Sequence, residues 1–150
     1  MTEDLSAAAI ATVKATVPAL RIHGVAISER LYERLFADPE IRDLFDPAGQ
    51  GPNGRMPRAL AAAVVAYAEN VDNLPALSGA VDVISARHVI AGVRPWHYDA
   101  VGRSLLGALQ DVLGEAATPA IQDAWAQAYG RLARVLQARE AELRAMAEAA

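Results

Sequence analysis

The side chains able to do chemistry in this 150-residue sequence are few: it has three histidines and no cysteine. His23 stands before Gly24 at what reads as a helix C-terminus, where a cation is favoured and a surface cap is the ordinary role. His97 lies between Trp96 and Tyr98 in the first turn of a helix and is expected to face solvent. His88 differs. It sits late in an amphipathic segment, one turn from Ile84 and Gly92 and two turns from Val81. A histidine on an apolar helix face is either a satisfied core residue or a metal ligand. No HExxH, no repeated Glu-x-x-His pair and no histidine cluster accompanies it. One lone imidazole suits a metal centre that brings its other ligands with it. Haem does so, because the porphyrin supplies four nitrogens and asks the protein for one or two axial ligands.

The remaining candidates are less telling. Glu140, within Arg139-Glu140-Ala141-Glu142, reads by itself as part of a solvated charged face. Tyr32, Tyr67, Tyr98 and Tyr129 fall in helical segments, where a tyrosine is ordinarily a core residue whose hydroxyl finds a partner. No GxSxG, phosphate-binding loop or GxGxxG is present. Residue chemistry alone stops at a helical domain with one candidate metal ligand.

The elements that must position these residues are punctuated by proline and glycine. A first helix is predicted over about Ser6–Arg21, with Ile10, Val13, Val17 and Leu20 at helical spacing, ended by His23-Gly24. A second covers about Val25–Ala37, with Ile27, Leu31, Tyr32, Leu35 and Phe36 in its apolar stripe. Asp38-Pro39 reads as N-cap and first residue of a short helix reaching Phe45, and Asp46–Gly54 as a loop. A helix from Met56 or Pro57 to about Val71 follows, then a break at Asp72–Pro75. The next helix runs to Ala91 and is closed by Gly92; another runs from Trp96 to Leu113 and is closed by Gly114. The last starts at Thr118-Pro119 and reaches about Met146. No segment alternates with period two for long enough to be a strand. The expectation is an all-α fold, one domain over residues 1–150, with helices crossing at about 50° around a pocket.

Composition narrows the partners. Hydrophobic residues make up 53% and charged residues 21%, a globular composition, and the net charge of -4 comes with no basic cluster. Nucleic acid and anionic membranes are therefore not expected partners. No apolar run approaches the roughly 20 residues of a membrane span, and the acidic start is unlike a secretory signal. The lack of cysteine removes disulfides, thiolate catalysis, iron–sulfur clusters and cysteine-bound zinc, and fits a cytoplasmic location.

Several stretches resemble one family in order along the chain. Ile10–Pro18 (IATVKATVP) and Leu31–Phe36 (LYERLF) resemble the opening helices of the globin domain of bacterial flavohaemoglobins and of the single-domain, Vitreoscilla-type haemoglobins. Ala66–Leu77 (AYAENVDNLPAL) is the most specific match, joined by Arg87-His88-Val89, His97–Gly102 (HYDAVG) and Asp123–Gly130 (DAWAQAYG). The resemblance covers essentially the whole chain. It implies a globin fold holding haem b, with His88 as proximal iron ligand and Tyr98 and Glu140 behind it, bonded to its outer nitrogen. An anionic acceptor there makes the imidazole a stronger donor to iron. It further implies Phe45 packed on the haem face, Tyr32 as a distal donor to iron-bound ligands, Leu60 as a pocket wall and Leu105 below or beside it. Arg87 stands where the family usually has lysine, and could pair with a haem propionate.

One departure concerns ligand binding. Met56 aligns where the family normally has glutamine, and methionine cannot donate a hydrogen bond. A shift of one residue would put Arg55 there; Pro57–Leu60 anchors the register in favour of Met56. The second departure is length: no fragment of a flavin- and nicotinamide-binding reductase is recognisable. The expected function is binding of O2, NO and CO, with nitric oxide dioxygenase activity when a separate reductase supplies electrons. The alternatives are oxygen transport or buffering without turnover, a haem-based sensor, and an engineered carbene or nitrene transferase on this scaffold. A homodimer is the assembly considered.

Overall fold

The computed structural model describes residues 5–44 and 55–149, the side chain of Arg55 excepted. Phe45 and the expected loop Asp46–Gly54 lie outside the described residues. Within them the chain is helical, without strands: α1 (Ala7–Ala15), α2 (Val17–Leu35), α3 (Pro39–Arg42), α4 (Arg55–Glu69), α5 (Ser78–Ala91), α6 (Pro95–Leu113) and α7 (Pro119–Ala149). Short 3-10 turns at Leu74–Leu77 and Gly114–Ala116 lead into α5 and out of α6. The all-α expectation is met.

Local chemistry sets most boundaries as expected. The Asp38 carboxylate accepts from the amide of Glu40 at 2.9 Å and caps α3, with Pro39 just inside the helix. α5 ends at Gly92, whose φ of +79° is the left-handed conformation glycine adopts without strain.

The first boundary differs. The sequence placed it at His23-Gly24; the chain instead bends by 66° at Thr16, between α1 and α2. Pro18 explains the bend, since it has no amide hydrogen for the carbonyl one turn back, and the helix cannot run through it unbroken. The Thr16 hydroxyl donates to the Val13 carbonyl and accepts from the Trp125 indole at 3.1 Å, so the corner is stapled to α7. Gly24 is not a terminator. It is buried inside α2, where a Cβ would stand 3.3 Å from the Cβ of Ala61 on α4. Its missing side chain lets the two helices approach closely. His23 is exposed in the interior of α2 rather than at a helix end.

α2 crosses α4 on one side and α6 on the other, while α7 packs against α1, α5 and α6. The main core joins Val13, Leu20, Leu31, Leu109 and Trp125, with Ile41 of α3 at its edge. A smaller cluster gathers Tyr98, Ala133 and Leu136 where α6 and α7 meet. Tyr129 and Leu132 pack against both clusters. The 18-residue stretch Leu74–Ala91 is apolar enough, by composition, to compare with a membrane span, at a mean hydropathy of 1.2. Its Leu77, Val81, Ile84 and His88, at steps of four, three and four, line an internal cavity together with Ala80, while Val83 and Ile90 of the same stretch are exposed.

Candidate functional site

The cavity, about 280 Å³, opens between α2, α4, α5, α6 and α7. Its walls are mostly Leu, Ile, Val and Ala, and its polar side chains are His88, His97 and the tyrosines at positions 32, 67, 98 and 129. An apolar chamber with a few converging polar groups is the general form of a small-molecule or cofactor site.

His88 projects from the last turn of α5. Its Nδ1 lies 2.9 Å from the Tyr98 hydroxyl and 3.0 Å from a carboxylate oxygen of Glu140. The Tyr98 hydroxyl in turn donates to the same Glu140 oxygen. These three residues come from α5, α6 and α7. Glu140 is 1% exposed, so the solvated face expected from its sequence context is not what the fold makes of it. Burial, with the Glu140 carboxylate beside it, pushes the Tyr98 hydroxyl far above the ordinary tyrosine value and keeps it protonated. Its hydroxyl hydrogen points to Glu140. Both oxygens near His88 Nδ1 therefore act as acceptors, and the imidazole proton sits on Nδ1. In the neutral ring Nε2 then keeps its lone pair.

His97 corrects the expectation that it faces solvent: it is 7% exposed and lines the cavity. It occupies the third position of α6, where its Nδ1 accepts from the Arg94 amide at 2.7 Å. This is the reach-back half of a capping box, made by histidine instead of the usual Glu or Gln. A histidine one turn before Val101 and two turns before Leu105 starts the buried stripe of α6, and that spacing could have revealed it. Burial lowers its pKa against the opposing pull of Glu40 and Asp38.

Tyr129, not singled out from sequence, also lines the cavity, and its hydroxyl donates to the Tyr98 carbonyl at 2.6 Å. Gly102 admits its ring: a Cβ there would come within 2.9 Å of Tyr129. The Tyr67 hydroxyl donates to the Ala128 carbonyl at 2.6 Å.

Of the other sequence candidates, Tyr32, Leu60 and Leu105 line the same cavity from α2, α4 and α6. Tyr32 stacks on Phe36 at 5.3 Å, and burial pushes its pKa up to about 12. Met56, half-buried in the first turn of α4, is not on the cavity wall, and neither is the exposed Arg87. Among the described residues no group of three or more His, Asp or Glu side chains could hold a bare metal ion. The donor set is one free imidazole nitrogen in an apolar chamber, which fits a metal held in a macrocycle.

The globin family model matches residues 29–136. The flavohemoprotein of Xylella fastidiosa strain Temecula1 is 44% identical over 96% of the chain, and the chain spans about a third (36%) of that relative's length. Among solved structures, an engineered carbene transferase from Rhodothermus marinus is 40% identical, with a TM-score of 0.89 over 96% of this chain and 99% of that one. The flavohemoglobin of Malassezia yamatoensis, solved with bound FAD and heme, is 31% identical, with a TM-score of 0.84 over 94% of this chain and 38% of that one.

Proposed function

From the premise that this chain belongs to the globin family, we propose that it is a haem b protein of the flavohaemoglobin type that converts nitric oxide and dioxygen to nitrate. The observation that carries this reading is the buried Tyr98–Glu140 pair behind His88 Nδ1. A carboxylate at that nitrogen makes the imidazole electron-rich, which favours oxidative chemistry over simple storage. When bound, haem supplies an iron that takes diatomic gases and exchanges single electrons. The overall change consumes one NO, one O2 and one electron per nitrate. The electron comes from a separate reductase; the Malassezia yamatoensis flavohemoglobin holds FAD as well as heme.

The protein's own groups have separate tasks in this reading. Nε2 of His88 would ligate the iron, with Glu140 and Tyr98 holding the ring against rotation. Tyr32, protonated at neutral pH because its pKa is raised to about 12, donates to a polar ligand from the α2 wall. Leu60 and Leu105 keep water out. Met56 lies off the cavity wall, and it would add no donor where the family resemblance expects a glutamine. The exposed Arg87 would pair with a haem carboxylate from the solvent side, and Phe45 is assigned to the haem face by the resemblance alone.

The test is catalytic consumption of nitric oxide in air with an added flavin reductase and nicotinamide cofactor. Many turnovers per haem, with nitrate as product, support the reading. Uptake of one NO per haem and no more would make the protein a carrier.

A further inference from the structure

The cavity holds a second imidazole whose chemistry is the reverse of His88's. We propose that His97 is a fixed hydrogen-bond donor for a carboxylate of the cavity's occupant, an anchor separate from the iron-binding residue. The inference rests on the haem reading above, because it names which part of that cofactor His97 recognises.

The geometry fixes the tautomer. A backbone N–H can only donate, and the Arg94 amide donates to His97 Nδ1 at 2.7 Å. Nδ1 is therefore unprotonated, and the neutral ring carries its hydrogen on Nε2. Such a nitrogen has no lone pair for a metal. It can only donate. With Nδ1 turned to the backbone of Arg94, the opposite edge of the ring is the one available to the cavity that His97 lines.

Three other polar wall groups are committed elsewhere. The Tyr67, Tyr98 and Tyr129 hydroxyls donate to Ala128, Glu140 and the Tyr98 carbonyl. Among the described residues no protein acceptor takes the Nε2 hydrogen of His97. The ring is also at the N-terminus of the 19-residue α6, whose unpaired amides and dipole favour negative charge. Asp38 and Glu40 oppose an anion here, and Arg94 on the same turn favours it. The Asp38 carboxylate is turned to its own helix cap. A buried donor at a helix N-terminus, on the rim of an otherwise apolar chamber, suits an amphiphile with an apolar body and a carboxylate edge. A tetrapyrrole has that form.

The test compares haem with its dimethyl ester, in which both carboxylates are blocked. Parent protein, His97→Phe and His97→Gln are each loaded with either haem, and release to excess apomyoglobin is timed. Loss of a charge-assisted hydrogen bond should make His97→Phe release ordinary haem roughly tenfold faster than the parent, the equivalent of about 1.4 kcal/mol. His97→Gln, which keeps an N–H donor of similar reach, should stay within about threefold of the parent. With the dimethyl ester, parent and His97→Phe should agree within about twofold. Equal acceleration for both haems would show that His97 acts by packing and would overturn the inference. So would unchanged release of ordinary haem from His97→Phe. A parent protein that takes up neither haem would overturn the proposed function itself, and this inference with it.

Discussion

Two imidazoles share one apolar cavity and are set to opposite purposes by what touches their Nδ1 atoms. At His88 the neighbours are a buried carboxylate and a phenol that already donates to it, so in the neutral ring Nδ1 carries the hydrogen and Nε2 the lone pair. At His97 the neighbour is a backbone amide, so Nδ1 carries the lone pair and Nε2 the hydrogen. One ring is a Lewis base toward the cavity and the other a donor. Residue type gives no hint of this difference; second partners decide it.

The sharpest way to break the comparison is to remove His88. His88→Ala should abolish the Soret band or weaken haem binding at least about 100-fold, while His97→Ala keeps the band, as read by absorbance titration with haem. Equal loss in both variants would erase the distinction. Next in size is the carboxylate. Glu140→Gln should weaken metal-centre affinity about 10- to 100-fold and lower the iron–histidine stretching frequency of the ferrous five-coordinate protein. An unchanged frequency would mean that Glu140 does not act through His88. Tyr32→Phe tests the α2 wall. It should speed oxygen dissociation roughly tenfold, since a hydrogen bond to a polarised ligand contributes about 1.5–3 kcal/mol. Stopped-flow rates within twofold would assign the donor to another residue. Tyr129→Phe deletes only the hydroxyl that holds the Tyr98 carbonyl, and should cost about 1 kcal/mol in urea denaturation while also shifting the iron–histidine frequency.

The smallest effect is on pH dependence and belongs to His97. Its folded pKa is lowered, so on acidification the unfolded chain takes up the proton first. Its contribution to stability is complete above the free histidine value of about 6.5 and is lost as pH falls below it toward the folded value. Denaturation midpoints of His97→Gln should therefore fall less steeply than the parent's below pH 6.5. Identical slopes would place His97 in water.

What was legible in the sequence follows from how local each signal is. Asp38-Pro39, Gly92 and Gly114 mark helix ends because capping acts within a few residues. The stripe Leu77, Val81, Ile84 and His88 is readable for the same reason. Glu140 is masked by its charged sequence neighbours Arg139 and Glu142, although Leu136 and Ala133, one and two turns back, put it on a buried face; its partner lies 52 residues away, and the family resemblance singled it out. Gly24 misled because glycine serves equally as a helix stop and as a site of close helix approach, and only the presence of Ala61 opposite decides. The His97 expectation failed because aromatic neighbours at a helix start were read without continuing the stripe through Val101 and Leu105. Met56 aligns with a family position by its proline-anchored register, yet register does not fix whether a side chain reaches the cavity wall.

The opposed tautomers can be observed directly in the haem-free protein labelled with 15N in histidine. Two-bond 15N–1H correlation spectra distinguish a ring protonated on Nδ1 from one protonated on Nε2, and the His88→Gln and His97→Gln variants assign the signals. The account predicts His88 with its proton on Nδ1 and His97 with its proton on Nε2. The same tautomer in both rings, or the reverse pair, would contradict it.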